Sequence, residues 1–435
     1  MKHRLLLFLL LGTPLITVAQ QPVSVTKAEV VARVIENNNT LKISAQDVLM
    51  ARADYQQTNG VLVPNLGVSH TGIATTNPLM AFGSKLNQEI LTEADFNPLL
   101  LNDPRQIEDF ATRIEIQQPL INVDGIFQRK AAKQKLGATE MQAERTGDYM
   151  VLEVDKAYMQ LQLAYKTVEV LEKAREAALE NKRIADNSFK QGYLQRSDVL
   201  AVEVRVTDIE NQLQYARSAI ENASNYLSVL MNDDSYQRLK PSDPLIIKTD
   251  EISYNELPEN RADIQAMTMA SNAYEQMHKA DKMSFLPSLN AFAIYELHDD
   301  EIFQGDANGY LFGAELKWNI LEGSTRFGKA KKSKAAYEKS KLELQQYKAE
   351  SQVELQRANR MLQDMKNNLK LTSLALEQSK EALRIRTNRF EEGLEKTTDL
   401  LLAETQYSQK QLEYYATIFQ HNYALAYVQF LTKEL

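Results

Sequence analysis

The sequence predicts an α+β membrane protein built twice over, with four strands in all and a long α-helical hairpin after each pair. Three observations carry that prediction. Proline is absent between Pro119 and Pro241 and again after Pro287; an interior proline costs a helix roughly 3 kcal/mol, so very long helices can run in those two gaps. Asn187, Phe189, Gly192, Asp198, Leu200 and Glu203 return in the same order and spacing as Asn388, Phe390, Gly393, Asp399, Leu401 and Glu404. The chain is an internal duplication. Finally, two segments alternate apolar and polar residues with period two, as strands do when one face is wet and the other is not.

In chain order, Lys2 and Arg4 precede the apolar run Leu5 to Leu11, and Thr17-Val18-Ala19 supplies small residues before Gln20. Residues 1–19 therefore read as a secretory signal peptide whose apolar core is too short to span a bilayer. No later window is apolar enough for a transmembrane helix, so entry into a membrane has to be by strands.

The first repeat, 20–231, opens with Thr26 and Glu29 in capping-box spacing ahead of a short helix through Ile35. A second helix is predicted from about Thr40 to Asn59, ended by Gly60, and a strand near Pro64. Residues 76–108, with Pro78, Gly83, Pro98 and Pro104, read as a long loop holding one helical turn from Phe82 to Ile90. Phe110, Thr112, Ile114 and Ile116 then alternate with Ala111, Arg113, Glu115 and Gln117 in a strand that Pro119 is expected to close. The long helix follows from Asn122 to about Asp186, with a tip near 187–197. The return arm shows Val206, Ile209, Leu213, Ala216, Ile220, Ala223, Leu227 and Leu230 stepping by three and four.

Residues 232–259, with Pro241, Pro244 and Pro258, form an irregular connecting segment before the second repeat, 260–435. That repeat starts with a helix from about Arg261 to Lys282. Its Phe285-Leu286-Pro287-Ser288-Leu289 echoes Leu62-Val63-Pro64-Asn65-Leu66, and an acidic loop from His298 to Asn308 separates two strands. In the second of these, Tyr310, Phe312, Ala314, Leu316, Trp318 and Ile320 are expected to face lipid. Leu311, Gly313, Glu315, Lys317 and Asn319 take the other side. Aromatic residues toward the strand ends match the interfacial girdles of outer-membrane strands. The second hairpin starts at Arg326, carries the stripe Leu355, Ala358, Leu362, Met365, Leu369, Thr372, Leu376, Ser379 and Leu383, and turns near 388–398.

Composition narrows the function. The formal net charge of −8 disfavours nucleic acid as a partner, and with no cysteine there are no disulfides, thiolate metal sites or catalytic thiols. No nucleophile elbow, phosphate loop or dinucleotide fingerprint is present, and no histidine pair has metalloprotease spacing, so neither an enzyme nor a cofactor is expected. The acidic run His298, Asp299, Asp300, Glu301 and Asp306 lacks the regular ligand spacing of a calcium loop, and no metal site is assigned to it. Lys329, Lys331, Lys332 and Lys334 read as a solvated helix start near the membrane, with lipid headgroups as the alternative contact.

Four antiparallel strands leave two open edges, and unpaired backbone groups facing lipid cost several kcal/mol each. The chain is therefore expected to oligomerise until a barrel closes, which takes at least about eight strands. The competing reading is a secreted coiled-coil scaffold or adhesin without a channel; it accommodates the long helices but not the alternating strands.

The duplicated order of helix, strand, loop, strand, long helix, turn and helix, with the paired Asn-x-Phe-x-x-Gly turns at Asn187 to Gly192 and Asn388 to Gly393, resembles the TolC family of outer-membrane efflux proteins. The resemblance covers essentially the whole chain after residue 19. It implies a homotrimer in the outer membrane of a Gram-negative bacterium, with one twelve-stranded β-barrel continued by a long α-helical barrel across the periplasm. The implied role is a passive exit duct of a tripartite efflux or type I secretion system, completed by a periplasmic adaptor (membrane fusion) protein and an inner-membrane pump of the RND or ABC type. By the same resemblance the turns are periplasmic tips where the adaptor docks, which nominates Gly192, Tyr193, Leu194, Gly393, Leu394 and Glu395. Asp399, six residues after Gly393, matches the first of two aspartates ringing the closed entrance in relatives; Leu402 stands in place of the second, and Asp198 is the first-repeat equivalent. The plainer alternative makes Ser197 and Thr398 helix N-caps, with Asp198 and Asp399 as first-turn acids favoured by the helix dipole.

Overall fold

The computed structural model describes residues 22–249 and 256–435, so the predicted signal peptide and residues 250–255 of the connecting segment lie outside the described residues. The chain divides into two compact units. One takes the chain up to Lys42 together with Thr146–Leu257 and Gln352–Lys433; the other takes Ile43–Arg145, Pro258–Ser351 and the last two residues.

The first unit is helical. Its chain enters as β1 (Val23–Val25), which lies parallel to β4 (Leu239–Pro241), a pairing that periodicity gives no hint of. Helix α1 (Lys27–Asn37) opens on the expected capping box, Thr26 and Glu29 exchanging side-chain-to-backbone bonds of 3.2 and 2.8 Å. The 68-residue α5 (Val123–Lys190) supplies its part from Thr146 onward and pairs with α6 (Arg196–Met231). The predicted α6 stripe is the inner face: Ile209, Leu213, Ala216, Ile220 and Leu227 are all buried. Near β1, Ile220 and Leu227 join Val30, Val34, Val154, Tyr158 and Leu161 in the main core. The second hairpin is α8 (Thr325–Glu391) with α9 (Thr397–Leu431). Leu355, Ala358 and Leu362 bury against Ala424, Leu425 and Val428, whereas the same stripe is only half-buried from Leu369 to Leu383.

In the second unit lies an antiparallel sheet of order β2-β3-β5-β6: β2 (Asn65–Thr75), β3 (Ile107–Ile121), β5 (Ser288–Asp299) and β6 (Ala307–Lys317). It is accompanied by α2 (Asn39–Gln57), α7 (Ala262–Met283) and the first parts of α5 and α8. A buried charge network holds the helices. Arg261, 2% exposed, donates to Asp263 at 2.6 and 2.9 Å and to Ser351 at 3.0 Å, and Tyr347 donates to Asp263 at 2.6 Å. Burial opposes charge on Asp263, yet the bonds from Arg261 and Tyr347 outweigh it and hold the carboxyl below its usual range.

Three expectations need correction here. Pro119 does not close its strand: β3 continues to Ile121 with an irregularity between the two, and such a bulge is where a strand tolerates a residue without an N–H. Residues 76–108 are more ordered than one turn, holding α3 (Pro78–Asn87) and α4 (Pro98–Asn102); Asn77 and Asn97 cap both, each followed by proline at the first helical position. Trp318 and Ile320 lie beyond β6, because the last pair of the ladder is Ser288 with Lys317 and no backbone of β5 remains to bond further residues.

Candidate functional site

Two features can act: the paired turns of the first unit and the two-faced sheet of the second. At the first turn Gly192 takes φ +82°, its N–H bonds to Phe189 O at 2.9 Å, and Tyr193 N–H reaches Ser188 O at 2.9 Å. The second turn repeats this, with Gly393 at φ +74° bonding Phe390 O at 2.9 Å and Leu394 bonding Arg389 O at 2.8 Å. Such bonds satisfy the last free carbonyls of α5 and α8 while the chain reverses, and the left-handed backbone is what glycine provides cheaply. Tyr193 and Leu394 project into solvent, 80% and 62% exposed. Leu194 instead turns inward against Ala185, Val199 and Val202, where Leu401 of α9 joins it.

The helix starts differ from expectation. The N-caps are Gln195 and Lys396, two residues before Ser197 and Thr398, because there the backbone leaves the helix (ψ 160° and 146°). Ser197 and Thr398 are exposed second residues of their helices. Asp198 accepts the Gln195 N–H at 3.1 Å, the half of a capping box that the third helical residue normally supplies. Asp399 sits at the equivalent place in α9, half-buried.

Glu395 is clasped across its turn by Arg386 at 2.8 Å and Arg389 at 2.9 Å, which no helical spacing would reveal. The Arg389 hydrogen bond holds its carboxyl below the usual range. One helical turn beyond Asp399 and further, Glu404 of α9 accepts a hydrogen bond from Asn181 of α5, tying the two hairpins together. Burial pushes that carboxyl up, against the opposing effects of Asn181 and Arg205. A cavity of about 200 Å³ adjoins it, lined by Ala174, Ala177, Arg205, Glu404 and Tyr407.

The ladder fixes which sheet residues share a face. Tyr310, Phe312 and Leu316 stand opposite Tyr295, Ala293 and Leu289, which continue through Ile114, Ile116 and Ile121 to Val68 and Leu66. These residues form an apolar band, with His70, Thr112 and Asn308 on the same face beyond it. The reverse face carries Lys317, Glu315, Glu296, Arg113, Glu115 and Gln117; Arg113 bonds Glu296 at 3.0 Å and Glu115 at 3.3 Å. Phe312 and Leu316 are 74% and 65% exposed within the single chain, and β2 and β6 each have an unpaired edge.

Among the described residues no cluster of histidine and carboxylate side chains could hold a metal ion. Asp299 spends both carboxylate oxygens on the loop itself, accepting the N–H groups of Glu301 and Asp306 at 3.0 Å. No helix among the described residues is long and apolar enough to cross a membrane.

The family model described as outer membrane efflux protein matches residues 30–233 and 253–424. The chain belongs to that family. As an outer membrane efflux protein it is an exit duct for exported solutes, and the scaffold alternative falls away. No curated protein matches it in sequence. Solved structures share the fold. A membrane protein of Pseudomonas aeruginosa superposes with TM-score 0.81 at 18% identity, over 94% of this chain and 93% of that one. The outer membrane protein VceC of Vibrio cholerae gives 0.80 at 17% identity, over 94% and 96%. The open state of the MtrE outer membrane channel of Neisseria gonorrhoeae gives 0.78 at 16% identity, over 93% and 88%.

Proposed function

We propose that three copies of this efflux protein join their four-stranded sheets into one twelve-stranded barrel in the outer membrane, with the helical hairpins forming a conduit on the periplasmic side. The observation that carries this reading is the two-faced sheet with unpaired edges at β2 and β6. Open edges are intolerable in hydrocarbon, and only closure against sibling chains satisfies them. Twelve strands leave a lumen, lined here by Arg113, Glu115, Glu296, Glu315 and Lys317, while Tyr310, Phe312 and Leu316 meet lipid. The half-buried stripe from Leu369 to Leu383 supports the same assembly, since it has apolar surface to give to a neighbouring helix.

The turns at Gly192 and Gly393 are the periplasmic tips. Tyr193 and Leu394, the exposed apolar residues there, form the docking surface for a periplasmic adaptor, itself linked to an inner-membrane pump of the RND or ABC type. Asp399 and its first-repeat equivalent Asp198 border the entrance; transport is passive and the protein performs no catalysis. Native mass measurement and planar-bilayer recording of the purified protein test this together. The expected result is a mass of three chains and discrete conductance steps; a stable single chain without conductance would overturn it.

A further inference from the structure

The basic runs at the starts of α5 and α8 have no role in the duct as described, and they sit directly after the strands. Residues 319–334 carry Glu322 against Arg326, Lys329, Lys331, Lys332 and Lys334, a local positive excess in a chain of net charge −8. Some of these cations are spoken for: Arg326 pairs with Glu322 at 3.2 Å and Lys329 with Asp281 at 3.3 Å. Lys331, Lys332 and Lys334 are exposed and, among the described residues, have no carboxylate within 4.0 Å. Phe327, Lys331 and Lys334, at spacings of four and three, share one face of α8.

Beside that face stands an aromatic cluster at the end of the sheet. Phe327 lies 5.4 Å from Phe285, the Arg326 guanidinium lies 5.7 Å from the Phe285 ring centre, and Trp318 Nε1 donates to Phe285 O at 3.1 Å. Trp318 and Phe327 are each 56% exposed. The first repeat offers a smaller version: Lys130 Nζ is 4.8 Å from the centre of the Phe127 ring, with exposed Lys133 following.

We propose that this aromatic and basic collar binds the phosphate headgroups of anionic phospholipids where the sheet meets its helices. The inference rests on the reading of the sheet as membrane-spanning. Side chains of a helix tilt toward its N-terminus, which for α8 is the sheet end, so Lys331 and Lys334 lean back toward the membrane surface. Their methylene stems run along the exposed rings while the ammonium groups reach the headgroup layer. Rings at that level are the usual furniture of a membrane interface, which a site for soluble phosphate has no use for. Each lysine near an anionic surface contributes about 1 kcal/mol, a preference on the order of fivefold.

The single tryptophan of the chain lies inside the proposed site and reports on it. The full-length protein is reconstituted into vesicles of brominated phosphatidylcholine, which quenches Trp318, and unbrominated phosphatidylglycerol or phosphatidylcholine is titrated in. The expected result is that phosphatidylglycerol relieves quenching at least about fivefold more effectively. The K331Q/K334Q double variant, and salt of about 1 M, where screening acts within about 3 Å, should bring the two lipids to parity. Equal competition by the two lipids in the wild type, or a preference that survives K331Q/K334Q, would overturn the site while leaving the duct intact. Absence of any quenching of Trp318 would overturn the membrane-spanning reading and this site with it.

Discussion

At the residue scale, the two turns rest on a backbone shape that only glycine adopts at little cost. Gly393 has open space around the position of a Cβ, so replacing it by alanine isolates the cost of φ +74° from any clash. Gly393→Ala is expected to weaken the turn by about 1–2 kcal/mol, seen as faster amide exchange at position 393 and at Leu394, the two N–H donors of the turn, with the rest of the chain unaffected. Unchanged exchange would mean the turn is held by other contacts, such as the Arg386 and Arg389 clasp on Glu395. For Asp399, removal of charge in Asp399→Asn is expected to alter single-channel conductance or its block by divalent cations. Identical recordings would leave Asp399 with the helix-start role alone.

Between elements, Glu404 joins α9 to α5 through Asn181 and has a carboxyl pushed up by burial. The folded chain therefore keeps that proton to higher pH than the unfolded chain, whose glutamates titrate near about 4.3. Stability from this contact is greatest below the unfolded value and is lost as pH rises through the folded one. Glu404→Gln should remove that pH dependence and slow amide exchange in α9 at neutral pH; an unaltered profile would show that the proton resides elsewhere. On the sheet, Leu316→Asp places a charge on the apolar face and is expected to lower the yield of assembled protein in the outer membrane, as charges do on lipid-facing strands. Normal assembly would reverse the assignment of the faces.

Elements of this protein were legible where one periodicity dominates. Val206 to Leu230 steps by three and four because one face of α6 is buried along its length, and Tyr310 to Leu316 alternates because the two faces of β6 differ, Tyr310, Phe312 and Leu316 on one and Glu315 and Lys317 on the other. The helix starts were not legible: Ser197 and Thr398 have the preferred side chains, but backbone geometry puts the caps at Gln195 and Lys396. The end of β6 was hidden for a similar reason. Trp318 continues the alternation in sequence, while the ladder stops where β5 begins, a fact about the partner strand. Contacts distant in sequence, such as Asn181 with Glu404 or Arg113 with Glu296, leave no spacing signal at all.

For the molecule as a whole, the fold leaves specific things unfinished: two strand edges and an apolar stripe on α8. In the proposed trimer both are completed by identical copies, since closed rings of like subunits form when the same pair of surfaces meets repeatedly. Because the chain has no cysteine, the joint can be probed without background. Cysteine pairs, one on β2 and one on β6, treated with a short thiol-reactive crosslinker in the outer membrane, address the meeting of edges directly. Covalent dimers and trimers, with nothing larger, are the expected result; chains that remain single at every pair along both strands would contradict the assembly on which the duct depends.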